Sequence, residues 1–222
     1  MNYYALIVAG GSGSRMNSDI PKQFLLLHQR PVLMHTIDAF YQSDLKPEII
    51  VALHKDYFQY WKDLCNAHNF DIPHKLVEGG TERFHSVKNG LNELKEKSIV
   101  AVHDALRPLI SNDLITRGFR EAEKKGTAVA AVPSRDSIRQ LQNDTTIALD
   151  RKTILIVQTP QVFHSDILKK AYQQDFDSSF TDDASVVERA GTKINLIEGE
   201  LFNLKITYPE DLRVAGLFFK EK

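Results

Sequence analysis

Seven stretches of strand length, YALIVAG, EIIVALH, HKLVEGG, SIVAVHDA, TAVAAVPS, TILIVQTP and KINLIEGE, recur along the chain and constrain its fold more than any other feature. Most are rich in Val and Ile and nearly continuous in apolar character, which suits strands covered on both faces. Between them lie segments with helical spacing: PVLMHTIDAFYQS, DYFQYWKDLCNAHN, RFHSVKNGLNELKEK, NDLITRGFREAEKKG, HSDILKKAYQQ and TDDASVVERAG. Strand alternating with helix specifies an α/β fold on a largely parallel sheet. Such sheets bind ligands outside the carboxyl ends of their strands, so residues just after each run are the ones to read for chemistry.

Two helices carry their own end signals. Ser111 or Asn112 caps the segment that runs to Lys124 and Lys125 and stops at Gly126. In TDDASVVERAG, Thr181 is a candidate N-cap, Asp182 and Asp183 complement the helix dipole, and Gly191 ends the turn. One segment breaks the rhythm. From Pro133 to Leu155 there is no helical period; the chain alternates through Ile138, Arg139, Gln140 and Leu141 and turns at Asn143-Asp144. This reads as a polar β-hairpin arm over 133–155, and because a lone two-stranded ribbon is marginal in water, its natural partner is a second copy in a symmetric dimer.

The 222 residues, 42% of them hydrophobic, suffice for one substantial core, so a single domain over 1–222 is expected. The 28 basic and 29 acidic residues leave a net charge of -1, which gives no global field for nucleic acid or an anionic membrane; any anionic ligand needs a local cluster. The single cysteine, Cys65, reads as a small buried hydrophobe. No apolar run approaches the ~18 residues of a membrane span, and the first strand lacks a basic leader and a cleavage site, so a cytoplasmic protein is expected.

The first run leads into VAGGSGSRM and then NSDIPKQF. Starting a dinucleotide fingerprint at Gly11 puts Met16 in the third glycine place, and starting at Gly10 puts Ser12 in the second, so the fingerprint fails; the spacing of a Walker loop is also absent. What remains is a glycine loop able to cradle phosphate on backbone N–H groups, with Arg15 and Lys22 as its cations and Pro21 stiffening the chain before the lysine. A second glycine pair, Gly79-Gly80, precedes Arg83 and Ser86 at a helix start, where a planar ring could approach the backbone. A third run ends in VHDALRP, bringing Asp104 and Arg107 to the same edge; Asp104 reads either as a satisfied turn carboxylate or as a hard ligand for Mg²⁺ or its waters. Arg151 adds a cation, as does Lys205, which reads in FNLKITYPEDL as the end of another apolar strand, and Thr159 and Thr181 add hydroxyls, Thr181 being either cap or ligand contact. The eight histidines have no paired ligand spacing for zinc, and no G-x-S-x-G elbow is present. Dispersed cations, glycine loops and one acid suit phosphoryl-type transfer, where positioning and charge stabilisation dominate and an anionic attacking phosphate needs no base.

In order, AGGSGSRM…PKQF, GGTERFHSVKNGL, VHDALRP, LDRKTILIVQTPQVF, TDDASVVERAG and NLKITYPEDL closely resemble the 2-C-methyl-D-erythritol 4-phosphate cytidylyltransferases of the non-mevalonate isoprenoid pathway, over Ala9 to Leu212. The resemblance implies a Rossmann-like nucleotidyltransferase, a three-layer sandwich with a protruding hairpin arm that makes a homodimer and reaches the partner's site. It implies attack of a polyol phosphate on the α-phosphorus of CTP, with Mg²⁺ or another divalent cation present. By the same resemblance Arg15 and Lys22 neutralise the α-phosphate and leaving pyrophosphate, while Arg151 and Lys205 position the sugar phosphate. Ala9, Gly10, Gly11, Ser12 and Gly13, with Gly80 and Ser86, hold triphosphate and cytosine; Asp104, Arg107 and Thr181 contact the polyol or the metal shell, and Arg83, Ser137 and Thr159 complete the binding set. Ser137 stands where the family usually has threonine, and Leu106 where a small residue is usual. The neighbouring family of ribitol-5-phosphate cytidylyltransferases shares AGG, PKQF, QTPQ and KIT, but SVKNGL and TDDASVVE resemble the methylerythritol enzymes more closely. A nucleotide-binding protein without catalysis is the alternative from another class.

Overall fold

The computed structural model describes residues 1–10 and 20–219. In chain order the strands are β1 (Asn2–Val8), β2 (Leu26–Leu27), β3 (Arg30–Pro31), β4 (Glu48–Leu53), β5 (Lys75–Glu78), β6 (Ser98–Asp104), β7 (Thr127–Pro133), β8 (Ile138–Gln142), β9 (Thr145–Leu149), β10 (Leu155–His164) and β11 (Leu196–Glu198). The α-helices are α1 (Val32–Tyr41), α2 (Phe58–Ala67), α3 (Arg83–Leu91), α4 (Asn112–Lys125), α5 (Ser165–Ala171), α6 (Asp183–Arg189) and α7 (Pro209–Phe218).

Seven strands form one sheet in the order β11-β7-β10-β6-β1-β4-β5. Every pairing in it is parallel except those of β10, which runs antiparallel to both β6 and β7. Alternation within β1 explains the layers: Ala5 and Ile7 point to the face packed by α1 (Leu33, Met34, Ile37, Phe40) and α4 (Leu114, Ile115, Phe119), together with Trp61 of α2. Tyr4 and Leu6 point to the opposite face, packed by α3 (Phe84, Val87, Leu91), α5 (Leu168, Ala171) and α6 (Ala184, Val186, Val187). The result is the three-layer α/β sandwich expected from the sequence. β1 is the point at which the strand order turns back, since the chain proceeds outward through β4 and β5 and then returns to pair β6 on its other side.

Ser111 caps α4, its Oγ accepting from Leu114 N–H at 3.0 Å, and Gly126 closes it at φ +86°. The hairpin is present as β8 and β9 joined through Asn143 at φ +50°, a separate two-stranded sheet with Gln142 opposite Thr145 and nearly every residue exposed. Two expectations are corrected. The cap of α6 is Asp182, not Thr181: its carboxylate accepts from Ser185 N–H at 2.9 Å while Ser185 Oγ accepts from Asp182 N–H, a reciprocal capping box. Lys205 does not end a strand, because 203–207 is irregular; Ile206 N–H bonds to Leu106 O, and Ile206 is buried against Leu27, Val32 and Ala215.

Candidate active site

Register brings the strand ends to one edge. Val8 of β1 lies opposite Asp104 of β6 on one side and Ala52 of β4 on the other, and Leu53 of β4 lies opposite Glu78 of β5. The residues just beyond these ends, Gly10, His54, Gly80 and Ala105, therefore border a common cleft of about 500 Å³, with Arg83 and Ser86 from α3 and Lys205 from the irregular segment. Ser86 is buried, and its Oγ accepts the Gly80 N–H at 3.0 Å. A Cβ on Gly10 would stand 3.0 Å from that same hydroxyl, so the first glycine of the loop is what leaves Ser86 its place.

A second cleft of about 260 Å³ adjoins the first and shares Arg83, Asp104 and Lys205 with it; Arg107, Val157, Gln158, Thr159, Gln161, Thr181 and Asp182 complete its wall. Thr159 sits in β10 at a cis peptide to Pro160, and its Oγ1 accepts the Asp104 N–H at 3.1 Å. Two pockets sharing one wall of charge can hold two anionic substrates side by side.

Asp104 is the hub of that wall. Lys205 Nζ lies 2.7 Å from its Oδ2, Arg83 Nε donates to its Oδ1 at 3.3 Å, and Arg107 Nε stands 3.9 Å away. Burial alone would raise its pKa, but Arg83, Lys205 and Arg107 outweigh that and hold the carboxyl well below the usual carboxylate range. Its charge is thus spent on three cations. Among the described residues no group of three His, Cys, Asp or Glu could hold a metal. In this geometry Asp104 is a counter-ion that orders the cleft's cations.

Arg107 also donates from Nη1 to Asn203 O at 2.6 Å, which ties the turn after β6 to the segment bearing Lys205. Beneath it lies His103, fully buried against the Phe40 ring at 5.0 Å; its Nε2–H donates to Arg107 O at 3.2 Å, and burial pushes the imidazole pKa down to about 3. It is a neutral strut, a role with no mark in the sequence.

The remaining expected residues divide into four groups. Ala9 is a frame residue: its N–H bonds to Ala52 O at 2.8 Å and its carbonyl accepts from Gln23 Nε2 at 2.8 Å, so the glutamine of PKQF braces the start of the loop. Lys22 is buried and donates to Thr207 O at 2.6 Å, two residues past Lys205. Arg151 and Ser137 are exposed at the base of the hairpin and line neither cleft; Arg151 Nη1 donates to Arg135 O at 2.9 Å. Gly11, Ser12, Gly13 and Arg15 lie outside the described residues.

Sequence reading missed Asp183. Its carboxylate is wholly buried and takes a bidentate pair from Arg83, Nη1 to Oδ1 at 2.9 Å and Nη2 to Oδ2 at 2.8 Å. Next to Asp182 at a helix start it reads as a dipole complement, and the partner that gives it another role lies 100 residues away.

Glycine-bordered and cation-walled, at the reversal point of a mostly parallel sheet, the paired clefts define a nucleotide-dependent transferase of the α/β class. The family model described as IspD: 2-C-methyl-D-erythritol 4-phosphate cytidylyltransferase matches residues 3–221. The chain belongs to this family. Proteins of that name from Bacteroides fragilis and Azobacteroides pseudotrichonymphae are 46% identical over 212 residues (96% of this chain, 97% of the relative) and 48% identical over 215 residues (96% of each). The crystal structure of 4-diphosphocytidyl-2C-methyl-D-erythritol synthase from Anaerococcus prevotii superposes with a TM-score of 0.83 at 28% identity, covering 98% of this chain and 95% of that one. The chain is thus a cytidylyltransferase, an enzyme of CTP-dependent 4-diphosphocytidyl-2-C-methyl-D-erythritol synthesis.

Proposed function

We propose that the larger cleft takes CTP and the smaller one 2-C-methyl-D-erythritol 4-phosphate, and that the wall shared by Arg83, Asp104 and Lys205 aligns them for transfer. The observation that carries this reading is the adjacency itself: two pockets, one bordered by Gly10, Gly80 and Ser86, meet at the same three charged side chains. A phosphate oxygen of the polyol attacks the α-phosphorus of CTP; the new P–O bond forms as the bond to the β-phosphate oxygen breaks, and pyrophosphate leaves. The attacking oxygen is already anionic, so no general base is needed.

Gly10 and Gly80 admit the nucleotide close to backbone, with Ser86 at its polar edge. Lys205, Arg107 and Thr181 hold the polyol phosphate, Thr159 fixes the strand beside it, and Lys22 and Arg15 meet the charge that accumulates on the α-phosphate and leaving group. Mg²⁺ arrives as the counter-ion of CTP and belongs to the substrate. Arg151 and Ser137, at the base of the exposed arm, serve the site of a second copy in a homodimer built through the 133–155 hairpin; the exposed Leu155, Ile156 and Val157 beside that arm support such a contact. The whole chain then works as one cytidylyltransferase domain on two water-soluble anions, which supports a cytoplasmic place of action. Purified protein given CTP and Mg²⁺ with either polyol phosphate tests the assignment: pyrophosphate release with the methylerythritol substrate is expected, and faster release with ribitol 5-phosphate overturns the substrate.

A further inference from the structure

Arg83 is the one side chain that lines both clefts from the α3 side, and its orientation is set from behind. It rises from the first turn of α3, donates from Nε to Asp104 at 3.3 Å, and clasps Asp183 with both Nη atoms at 2.9 and 2.8 Å. Those bonds use three of the five guanidinium N–H groups. Asp183 is in turn gripped: the Tyr172 hydroxyl donates to its Oδ1 at 2.5 Å, and the Tyr172 ring stacks on Phe84, the neighbour of Arg83, at 4.6 Å. The first turn of α6 is itself pinned to β10, because Gln161 donates to Asp182 at 2.8 Å and accepts from Ala184 N–H at 2.8 Å. A chain of contacts thus runs from α5 through α6 and α3 to the end of β6: Tyr172, Asp183, Arg83, Asp104, Lys205.

A bidentate pair fixes the plane of a guanidinium as well as its place, which a single hydrogen bond does not. Arg83 carries none of the catalytic charge assigned above to Lys22 or Arg15, and nothing in the reaction requires a buried acid behind it for binding alone. We propose that Asp183, held by Tyr172, is a positioning residue: it locks the Arg83 guanidinium as the partition between the nucleotide and polyol-phosphate pockets and so sets the angle at which the attacking phosphate meets the α-phosphorus. The inference rests on the placement of the two substrates given above. It extends that placement to Asp183 and Tyr172, which touch neither substrate. Their effect passes through Arg83 and Asp104 to Lys205. Geometry of attack is where a small displacement is expensive, because effective molarity depends on near-attack alignment.

The test is a double-mutant cycle in turnover on full-length protein, with Asp183→Asn, Arg83→Gln and the pair combined, each assayed below its own melting transition. Asp183→Asn is expected to lower kcat about tenfold or more and to raise KM for the polyol phosphate, while the CTP dissociation constant measured by calorimetry stays within about threefold. Combined with Arg83→Gln it is expected to cost no more than about twofold beyond Arg83→Gln alone, because both changes remove one alignment. Tyr172→Phe keeps the ring on Phe84 and loses only the O–H; a smaller fall in kcat in the same direction is expected, and it is the variant that decides if Asp183→Asn does not fold. Wild-type kcat and KM in folded Asp183→Asn, or losses that simply multiply in the double variant, overturn the proposal and leave the reaction untouched. A wild type that does not turn over these substrates overturns the functional reading and this inference with it.

Discussion

His103 shows how far a residue's chemistry is decided by its place. Its pKa is depressed by burial to about 3, so the folded protein refuses a proton that the unfolded chain takes up near the ordinary value of about 6.5. The stability it contributes is complete above that unfolded value and is lost as pH falls toward the folded one. Between pH 7.5 and 5 the expected loss is about 2 kcal/mol from this group, read as the difference in urea-unfolding free energy between wild type and His103→Gln at the two pH values. At Lys22 the proposed effect is on rate. Lys22→Ala is expected to lower kcat about 100-fold with a far smaller change in CTP affinity, as a contact strongest in the transition state does; weaker CTP binding with unchanged kcat would place Lys22 elsewhere. At this scale the sequence was most legible where residue type and strand end coincided: Gly80, Arg83, Ser86, Asp104 and Arg107 all reach the clefts, while Lys205 reaches them from an irregular segment. It was silent on His103, Tyr172 and Asp183, whose roles come from partners in other elements.

At the scale of elements, periodicity carried the reading. The continuous apolar runs became the sheet, and the break in rhythm after Pro133 became β8 and β9. Three elements escaped it: the two-residue strands β2 and β3, and α7, opened by Pro209 at its first turn and hidden behind a motif read for its lysine. KINLIEGE does supply a strand, but only over the 3 residues of β11. Helix α3 adds a packing requirement that the sequence states only as a lone glycine. A Cβ on Gly90 would fall 2.3 Å from Leu6 Cδ1, so the helix carrying Arg83 and Ser86 can press on β1 only if that position is bare. Gly90→Ala is expected to cost about 1–3 kcal/mol by overpacking and to weaken CTP binding, because α3 must lift; thermal unfolding and nucleotide titration of the variant check both.

For the molecule as a whole, the hairpin is the part a single chain does not account for. Arg151 stands apart from both clefts, so its proposed action on a partner's site has a direct check: Arg151→Ala raises KM for the polyol phosphate and leaves CTP affinity intact. Mixing that variant with Lys205→Ala is expected to recover activity that neither homodimer has, since one composite site then keeps both side chains. No recovery on subunit exchange would confine Arg151 to its own chain.

The hydrogen bond from Lys22 to Thr207 joins positions 185 residues apart. Between them run nearly all the crossovers of the parallel sheet, each of which must close before its strands can pair. A chain that lacks its last segment therefore lacks both Lys205 and the Thr207 carbonyl that holds Lys22, although the other residues lining the larger cleft all lie between Val8 and Leu106. Turnover is therefore expected only once that segment has docked, which would make enzyme activity a readout of completed folding.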